Sequence, residues 1–167
     1  MSLATASRIS RMETRMVPRQ STVSRHPKKV YLIGSLRNPA VPSIGATLRR
    51  EGFDVFDDWF AAGPEADDKW REYEEARGRT YIEALQGKAA TNVFCFDERN
   101  LNECNTAVLV LPAGKSGHME LGRCIGQGKP TYILLPPATD RWDVMYRFAT
   151  AVCPSIEDLL GHLGLTV

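Results

Sequence analysis

Three side chains in this sequence have the chemistry of an acid–base or nucleophilic site, namely Glu120, Asp97 and Tyr31. Glu120 falls in the first turn of a helix predicted from about residue 118 to 127, where the helix dipole favours an ionised carboxylate. Beside a cleft, such a carboxylate can act as a nucleophile or a general base. Position alone also allows plainer roles, in which Glu120 complements the dipole, Asp97 is a surface charge and Tyr31 fills the core. The choice depends on the elements that position these side chains.

Strand and helix signals alternate along the chain from Lys29 onward. Short apolar runs typical of strands buried on both faces occur at 30–33, 53–56, 106–111 and 132–135, with a weaker signal near Val152. Helical patterns cover 39–51, a stretch from about 67 that follows a long polar loop, 81–102 with an interruption near Gly87, 118–127, 142–151 and 156–163. This alternation predicts parallel βαβ units. We therefore expect an α/β three-layer sandwich with a flavodoxin- or Rossmann-like parallel sheet of four to five strands.

Ligands of such folds bind at the carboxyl ends of the strands, which here means residues 34–38, 57–59 and 112–120. A Walker A loop is excluded, because the pattern that ends in Gly114-Lys115-Ser116 would need a glycine where the chain has Leu109. The dinucleotide pattern GxGxxG is also absent after the first strand. Nucleotide binding through either phosphate loop is therefore not expected.

The length of 167 residues fits one domain, and the 43% hydrophobic and 25% charged content is that of a globular protein. No apolar stretch approaches the roughly 20 residues that cross a bilayer, and the first residues lack the apolar core of a secretory signal. We therefore expect a soluble cytoplasmic protein. The four cysteines are scattered, with no CxxC pair, so we expect reduced thiols and neither a zinc site nor a disulfide framework.

The amino-terminal segment differs in charge from the rest of the chain. Its first 29 residues hold seven basic side chains and one acidic side chain, whereas the whole chain has a net charge of only +1. We predict a flexible basic tail at 1–28 and a folded domain at 29–167. The tail could contact nucleic acid, serve as a transit peptide or have no partner. The acidic remainder argues against a nucleic-acid-binding domain, for which a basic face would be expected.

Four segments of the chain together share the pattern of a known family: Tyr-Leu-Ile-Gly-Ser at 31–35, Asp97 ahead of the third strand, Gly-His-Met-Glu-Leu-Gly at 117–122 followed by Gly-Lys-Pro at 128–130, and Asp-Val-Met at 143–145. From Lys29 to about Val152 the chain resembles the nucleoside 2-deoxyribosyltransferase family, which includes deoxynucleoside 5′-monophosphate N-glycosidases. The G-x-M-E-L-G segment is the most specific part. Asp143 departs from the pattern, since the transferases have asparagine there.

The resemblance implies a retaining transfer of 2-deoxyribose between nucleobases. Glu120 would attack the anomeric carbon and form a covalent deoxyribosyl intermediate, and Asp97 would pass a proton to the departing base. The hydroxyl of Tyr31 would orient Glu120. Neither a cofactor nor a metal is implied.

The resemblance also implies a set of substrate contacts. Trp59 would stack on the base, and Asp143 would hold the sugar 5′-hydroxyl of a neighbouring subunit's ligand, which requires a homodimer or larger assembly. The full set of expected substrate-binding residues is Gly34, Ser35, Arg37, Asp57, Trp59, Ser116, Gly117, Met119, Asp143 and Met145. The expected partners are a nucleoside, a free nucleobase and other copies of the chain, with no membrane and no nucleic acid.

Two other functions remain open. The protein could be an N-glycosidase that hydrolyses nucleosides or their 5′-monophosphates, with Arg37 as the phosphate ligand. It could also be a non-catalytic nucleotide-binding module. A carboxylate at Asp143 favours a substrate with a free 5′-hydroxyl, because it would repel a phosphate.

Overall fold

A computed structural model gives the structure of residues 28–138 and 142–164. The tail predicted at 1–28 lies outside these described residues except for Lys28. The strands are β1 (Lys29–Ile33), β2 (Asp54–Phe56), β3 (Thr106–Val110), β4 (Thr131–Leu134) and β5 (Ala151–Cys153). The helices are α1 (Ala40–Arg50), α2 (Ala66–Ala76), α3 (Tyr81–Leu85), α4 (Lys88–Glu103), α5 (Lys115–Gly126) and α6 (Ile156–Leu163), with 3₁₀ segments at Asp58–Ala62 and Val144–Phe148.

The five strands form one sheet in the order β2-β1-β3-β4-β5, and every neighbouring pair is parallel. Tyr31 in β1 pairs with Phe56 of β2 on one side and with Ala107 of β3 on the other. This arrangement confirms the predicted three-layer α/β sandwich, including its fifth strand. It also brings the carboxyl ends of β1 and β3 next to each other at the centre of the sheet.

Alternate residues of the strands bury two separate apolar layers. On one face, Val30 and Leu32 pack with residues of α1 and α6. On the other face, Tyr31 and Ile33 pack with residues of α4 and α5. Because both faces are covered, the central strands consist of continuous apolar runs, and all five residues of β3 are buried.

Several element boundaries differ from those predicted. Helix α5 begins at Lys115, three residues before the predicted start at 118, because Gly114 serves as its N-cap and Gly117 lies inside its first turn. The polar segment after β2 contains the 3₁₀ segment Asp58–Ala62 rather than only a loop. The helix predicted at 142–151 is replaced by the 3₁₀ segment Val144–Phe148 followed by β5. The start of α5 contains two glycines, and the two 3₁₀ segments have no regular apolar pattern. Neither kind of stretch gives a clear helix signal in the sequence.

The structure also bears on the expectations for membrane-spanning segments and for the cysteines. None of the helices in the described ranges is both long and apolar enough to cross a membrane. All four cysteines are free thiols, of which Cys95 is exposed and the other three are buried.

The central strand β3 provides a test of the core. Leu109 has no exposed surface, so Leu109→Ala should lower the free energy of unfolding by about 2–5 kcal/mol through lost burial and a residual cavity. The control is Leu85→Ala on α3, where the leucine is 46% exposed and the same truncation should cost less than about 1 kcal/mol. Urea denaturation of both variants measures the difference, and equal losses would contradict the assigned core.

Candidate active site

Helices α4 and α5 lie side by side on the sheet face that contains Tyr31, and each contributes one carboxylate. Asp97 comes from α4 and Glu120 from α5, and both are only partly exposed. Tyr31 lies beneath them in β1 with 1% of its surface exposed. The three residues interact electrostatically, since both carboxylates act on the Tyr31 hydroxyl. The fold therefore brings together the three side chains predicted to be catalytic.

Burial changes the proton affinity of all three groups. It raises the pKa of Asp97 to about 6. Burial, with a smaller contribution from the negative charge of Asp97, raises the pKa of Glu120 to about 7. Burial and the two carboxylates raise the pKa of Tyr31 far above its usual value, so its hydroxyl stays neutral and keeps a proton to donate. Two acids that titrate near neutral pH are suited to general acid–base chemistry.

The position of Glu120 corrects one expectation. Because α5 begins at Lys115, Glu120 lies in the second turn and not in the first, and the first turn contains no acidic residue. The helix dipole acts mainly on the first turn, so it does not hold Glu120 ionised as predicted. Burial dominates instead and favours the protonated carboxyl.

One oxygen of Asp97 has a second unusual property. It is buried and has no hydrogen-bond partner among the described residues. A buried polar atom without a partner is costly, so it usually marks a place where a water or ligand binds. Within the same residues no hydrogen bond joins the Tyr31 hydroxyl to Glu120, although the negative charge of Glu120 helps to keep that hydroxyl protonated.

Two glycines allow close packing at the carboxyl ends of β1 and β3. A Cβ on Gly117 would lie 3.0 Å from a methyl of Ile33 and 3.3 Å from one of Leu109. A Cβ on Gly34 would lie 2.7 Å from Val41 and 3.4 Å from the Trp59 ring. Glycine therefore lets the first turn of α5 rest directly on the sheet, and it lets Trp59 cover the end of β1.

The other residues predicted to follow β1 and β2 have partners within the fold. The indole of Trp59 donates a 2.8 Å hydrogen bond to the carbonyl of Leu32, which fixes the ring over the strand end. Asp57 accepts hydrogen bonds from the Arg49 guanidinium of α1. These contacts give Trp59 a defined orientation and give the carboxylate of Asp57 a structural partner.

The turn after β1 is also internally bonded. The Ser35 hydroxyl accepts a 3.1 Å hydrogen bond from the backbone N–H of Arg37. The Arg37 guanidinium in turn forms a 2.7 Å ion pair with Asp68 of α2, in which both side chains are about half exposed. Arg37 is thus engaged at the surface by an acidic residue.

The remaining predicted contacts lie on α5 and on the 3₁₀ segment Val144–Phe148. Asp143 accepts a 3.0 Å hydrogen bond from the N–H of Met145 and so caps that segment. Ser116, Met119 and Met145 are exposed, with Met119 at 77% and Met145 at 57%. No hydrogen bond or ion pair within the described ranges connects Arg37, Asp57 or Asp143 to the carboxylates at Asp97 and Glu120.

Sequence reasoning missed two residues that connect α5 to this 3₁₀ segment. The Nδ1–H of His118 donates to the carbonyl of Gly114 at 2.7 Å, so its Nε2 accepts from the Tyr146 hydroxyl at 3.1 Å. The two rings are also stacked, with centroids 5.9 Å apart. His118 lies within the segment 117–122, but nothing in its spacing identifies Tyr146 as a partner 28 residues away.

A cavity of about 580 Å³ adjoins the same segment. Its wall is mainly apolar and includes Pro136, Trp142 and Val152, with Asp143 and Arg147 as charged groups. In the part of the chain that the structure describes, no three His, Cys, Asp or Glu side chains are arranged to hold a metal ion.

The fold is similar to that of two solved proteins. A 2-deoxyribosyltransferase from Bacillus psychrosaccharolyticus is 18% identical with a TM-score of 0.53, over 78% of this chain and 89% of that chain. A conserved protein from Enterococcus faecalis V583 is 16% identical with a TM-score of 0.51, over 81% of this chain and 96% of that chain. No protein-family model matches the sequence, and no curated protein matches it. At these identities, the similarity establishes a 2-deoxyribosyltransferase-like fold.

The raised pKa values of Asp97 and Glu120 predict how stability depends on pH. In the unfolded chain both carboxyls titrate near pH 4, so between about pH 4 and 7 the folded state binds more protons. The free energy of unfolding should therefore fall as pH rises through this range. Glu120→Gln removes one of the two groups, and its loss of stability between pH 5 and pH 8 should be smaller than that of the wild type by roughly 1–3 kcal/mol.

The matched control is Glu72→Gln on the exposed surface of α2. Urea denaturation at several pH values should give this variant the pH dependence of the wild type. A Glu120→Gln variant with an unchanged pH dependence would show that Glu120 does not titrate in the folded protein as described.

Proposed function

We propose that the protein transfers 2-deoxyribose between nucleobases through a covalent intermediate on Glu120, with retention at the anomeric carbon. The observation that carries this proposal is the burial of Glu120 with Asp97 over Tyr31, beside the carboxyl ends of β1 and β3. The fold it shares with a 2-deoxyribosyltransferase supports the same assignment. Two interacting carboxylates in a partly closed site are the groups that retaining glycosyl chemistry uses.

The first half of the reaction breaks the bond from the sugar to the base. A Glu120 oxygen attacks the anomeric carbon and forms an ester bond, while the bond to the ring nitrogen breaks and its electrons go to the base. Asp97 donates a proton to that nitrogen or to a conjugated position on the ring. Because burial raises the pKa of Asp97 to about 6, this carboxyl keeps its proton closer to neutral pH than an exposed aspartate does. In the second half, the nitrogen of another base attacks the anomeric carbon, the bond from that carbon to the Glu120 oxygen breaks and frees the carboxylate, and the base returns its proton to Asp97.

Tyr31 is proposed to orient the Glu120 carboxylate. Its hydroxyl stays protonated because burial and the two nearby carboxylates raise its pKa, so it acts only as a hydrogen-bond donor. Donation to one Glu120 oxygen would hold the other toward the anomeric carbon. Trp59, already fixed by its bond to Leu32, provides an aromatic surface for bases of different shape.

The exposed ends of the site are proposed to contact the sugar and a second subunit. Gly34 and Ser35 follow the end of β1, and Ser116, Gly117 and Met119 lie in the first two turns of α5, the helix that also contains Glu120. Asp143 and Met145 would act on the site of a neighbouring copy. The 3₁₀ segment Val144–Phe148 exposes large apolar side chains, with Val144 74% and Phe148 65% exposed, which supports an interface there.

An exchange assay tests the proposed reaction. The protein is incubated with deoxyadenosine or thymidine, with and without a second free base, and the products are separated by chromatography. We expect exchanged nucleoside when the second base is present. Glu120→Gln should lower turnover on the order of 10³-fold or more, because it removes the nucleophile. A substrate with fluorine at sugar C2 should leave a mass increase on the wild-type peptide that contains Glu120.

The matched control is Glu157→Gln. Glu157 is exposed and lies in α6, away from α4 and α5, so this variant should retain wild-type turnover. Free deoxyribose without exchanged nucleoside would identify a hydrolase instead. Activity of Glu120→Gln within tenfold of the wild type would exclude the covalent mechanism.

A second pair of variants distinguishes free nucleosides from 5′-monophosphates as substrates. Asp143→Ala should raise KM for nucleosides roughly two- to tenfold, about 0.5–1.5 kcal/mol, through loss of a hydroxyl hydrogen bond. Arg37→Ala should have little effect, because it removes only a surface ion pair with Asp68. Steady-state kinetics with both substrate classes measures each change.

Asp143→Asn is the control for the local role of Asp143, since an amide oxygen can still accept from the Met145 N–H. If Arg37→Ala is the more damaging change and Asp143→Asn improves turnover of a 5′-monophosphate, the protein is a monophosphate hydrolase. If sedimentation shows that the fully active protein is a monomer, Asp143 does not act on the site of a neighbouring subunit.

A further inference from the structure

Within the 3₁₀ segment Val144–Phe148, Tyr146 is the side chain that packs on the body of the protein. Tyr146 is half-buried against the apolar cluster that contains Tyr31, whereas the other residues of the segment are exposed. Its hydroxyl lies 3.1 Å from the Nε2 of His118 in α5, and the two rings are stacked. Tyr146 therefore anchors the segment to α5.

His118 is held in one orientation by its own helix. Its Nδ1 lies 2.7 Å from the carbonyl oxygen of Gly114, which can only accept, so a neutral ring has its proton on Nδ1 and its Nε2 accepts from the Tyr146 hydroxyl. The same turn of α5 rests closely on the sheet, since a Cβ on Gly117 would lie only 3.0 Å from Ile33. His118 is thus a fixed point on a rigid part of the fold.

The anchored turn includes the two residues proposed to act on the site of a neighbouring copy. The Asp143 carboxylate accepts a 3.0 Å hydrogen bond from the N–H of Met145, and the Asp143 carbonyl accepts one of 3.3 Å from the N–H of Tyr146. These bonds make Asp143, Met145 and Tyr146 parts of one turn. Movement of the Tyr146 ring away from His118 would therefore displace the Asp143 carboxylate and the Met145 side chain as well.

We propose that His118 is a positioning residue, which through the Tyr146 hydroxyl fixes Asp143 and Met145 for their contacts in the site of a neighbouring subunit. This inference rests on the proposed function, in which these two residues act on that site. His118 lies two residues before Glu120, so each catalytic helix anchors the segment that its own subunit contributes to the next. Loss of the contact should weaken substrate binding and leave the chemical step nearly unchanged, because it removes neither catalytic carboxylate.

Limited proteolysis of the full chain tests the anchor without any assay of activity. Arg147 is exposed in the 3₁₀ segment, and trypsin cleaves after it when the backbone there opens locally. Tyr146→Phe keeps the stacked ring and removes the hydroxyl, so it should speed this cleavage roughly two- to tenfold through the loss of one hydrogen bond. Cleavage after Arg71, which is exposed on α2, reports global unfolding and should not change.

Steady-state exchange kinetics test the positioning role. Tyr146→Phe and His118→Ala should each raise KM for the nucleoside roughly two- to tenfold, with kcat within about twofold of the wild type. The double variant should be no worse than either single variant, because both remove the same contact. The matched control is Tyr132→Phe, since Tyr132 also lies against a histidine, His162, but on the opposite face of the sheet. It should change neither KM nor the tryptic cleavage.

A mixed dimer shows in which subunit His118 acts. Subunits with His118→Ala and with Glu120→Gln are co-expressed with different affinity tags and purified through both. The site that keeps Glu120 then receives Asp143 from the subunit with an intact His118, so we expect the wild-type KM to return.

Three results would overturn the proposal: tryptic cleavage unchanged in Tyr146→Phe, an unchanged KM in an active variant, or a raised KM that the mixed dimer does not restore. If the wild type exchanges no base, the proposed function fails and the positioning role fails with it. That outcome is independent of the anchor, which the trypsin assay decides.

Discussion

A parallel sheet presents side chains on both of its faces, and neither face can be left to water without losing the burial that stabilises the strands. In this protein the two faces are covered by different pairs of helices. Helices α1 and α6 cover the face of Val30 and Leu32 with an apolar layer. Helices α4 and α5 cover the face of Tyr31 and Ile33, and this layer also contains ionisable groups. Structural and chemical roles are thus divided between the two sides of one sheet.

The α4–α5 layer incurs an energetic cost for its ionisable groups. Two carboxylates with raised pKa values are less stable in their ionised forms than they are in water, and one Asp97 oxygen has no partner. The close packing made possible by Gly117 offsets part of this cost, because it lets α5 approach Ile33 and Leu109 directly. The rigid strand β1 then holds Tyr31 at the same place. Such locally unfavourable groups within a stable frame are typical of catalytic sites.

The sequence predicted the features that a short stretch of residues determines, and it did not predict contacts between distant segments. The strands were predictable because burial on both faces produces continuous apolar runs, as in β3. The start of α5 was not, because Gly114 and Gly117 resemble a loop in sequence and act in the structure as an N-cap and a packing contact. The pair His118–Tyr146 depends on how distant segments pack, which spacing along the chain does not encode.

The proton shared by the two carboxylates links their burial to the proposed chemistry. Burial raises the pKa of Asp97 to about 6 and that of Glu120 to about 7, and the proposed nucleophilic attack needs the remaining proton on Asp97. The difference of one pKa unit corresponds to only about 1.4 kcal/mol. A ring nitrogen that accepts a hydrogen bond from Asp97 stabilises the protonated form of Asp97, and that bond can contribute as much. Binding of the base would then move the proton to Asp97 and ionise Glu120. In the proposed reaction, Glu120 would therefore become nucleophilic when a base occupies the site.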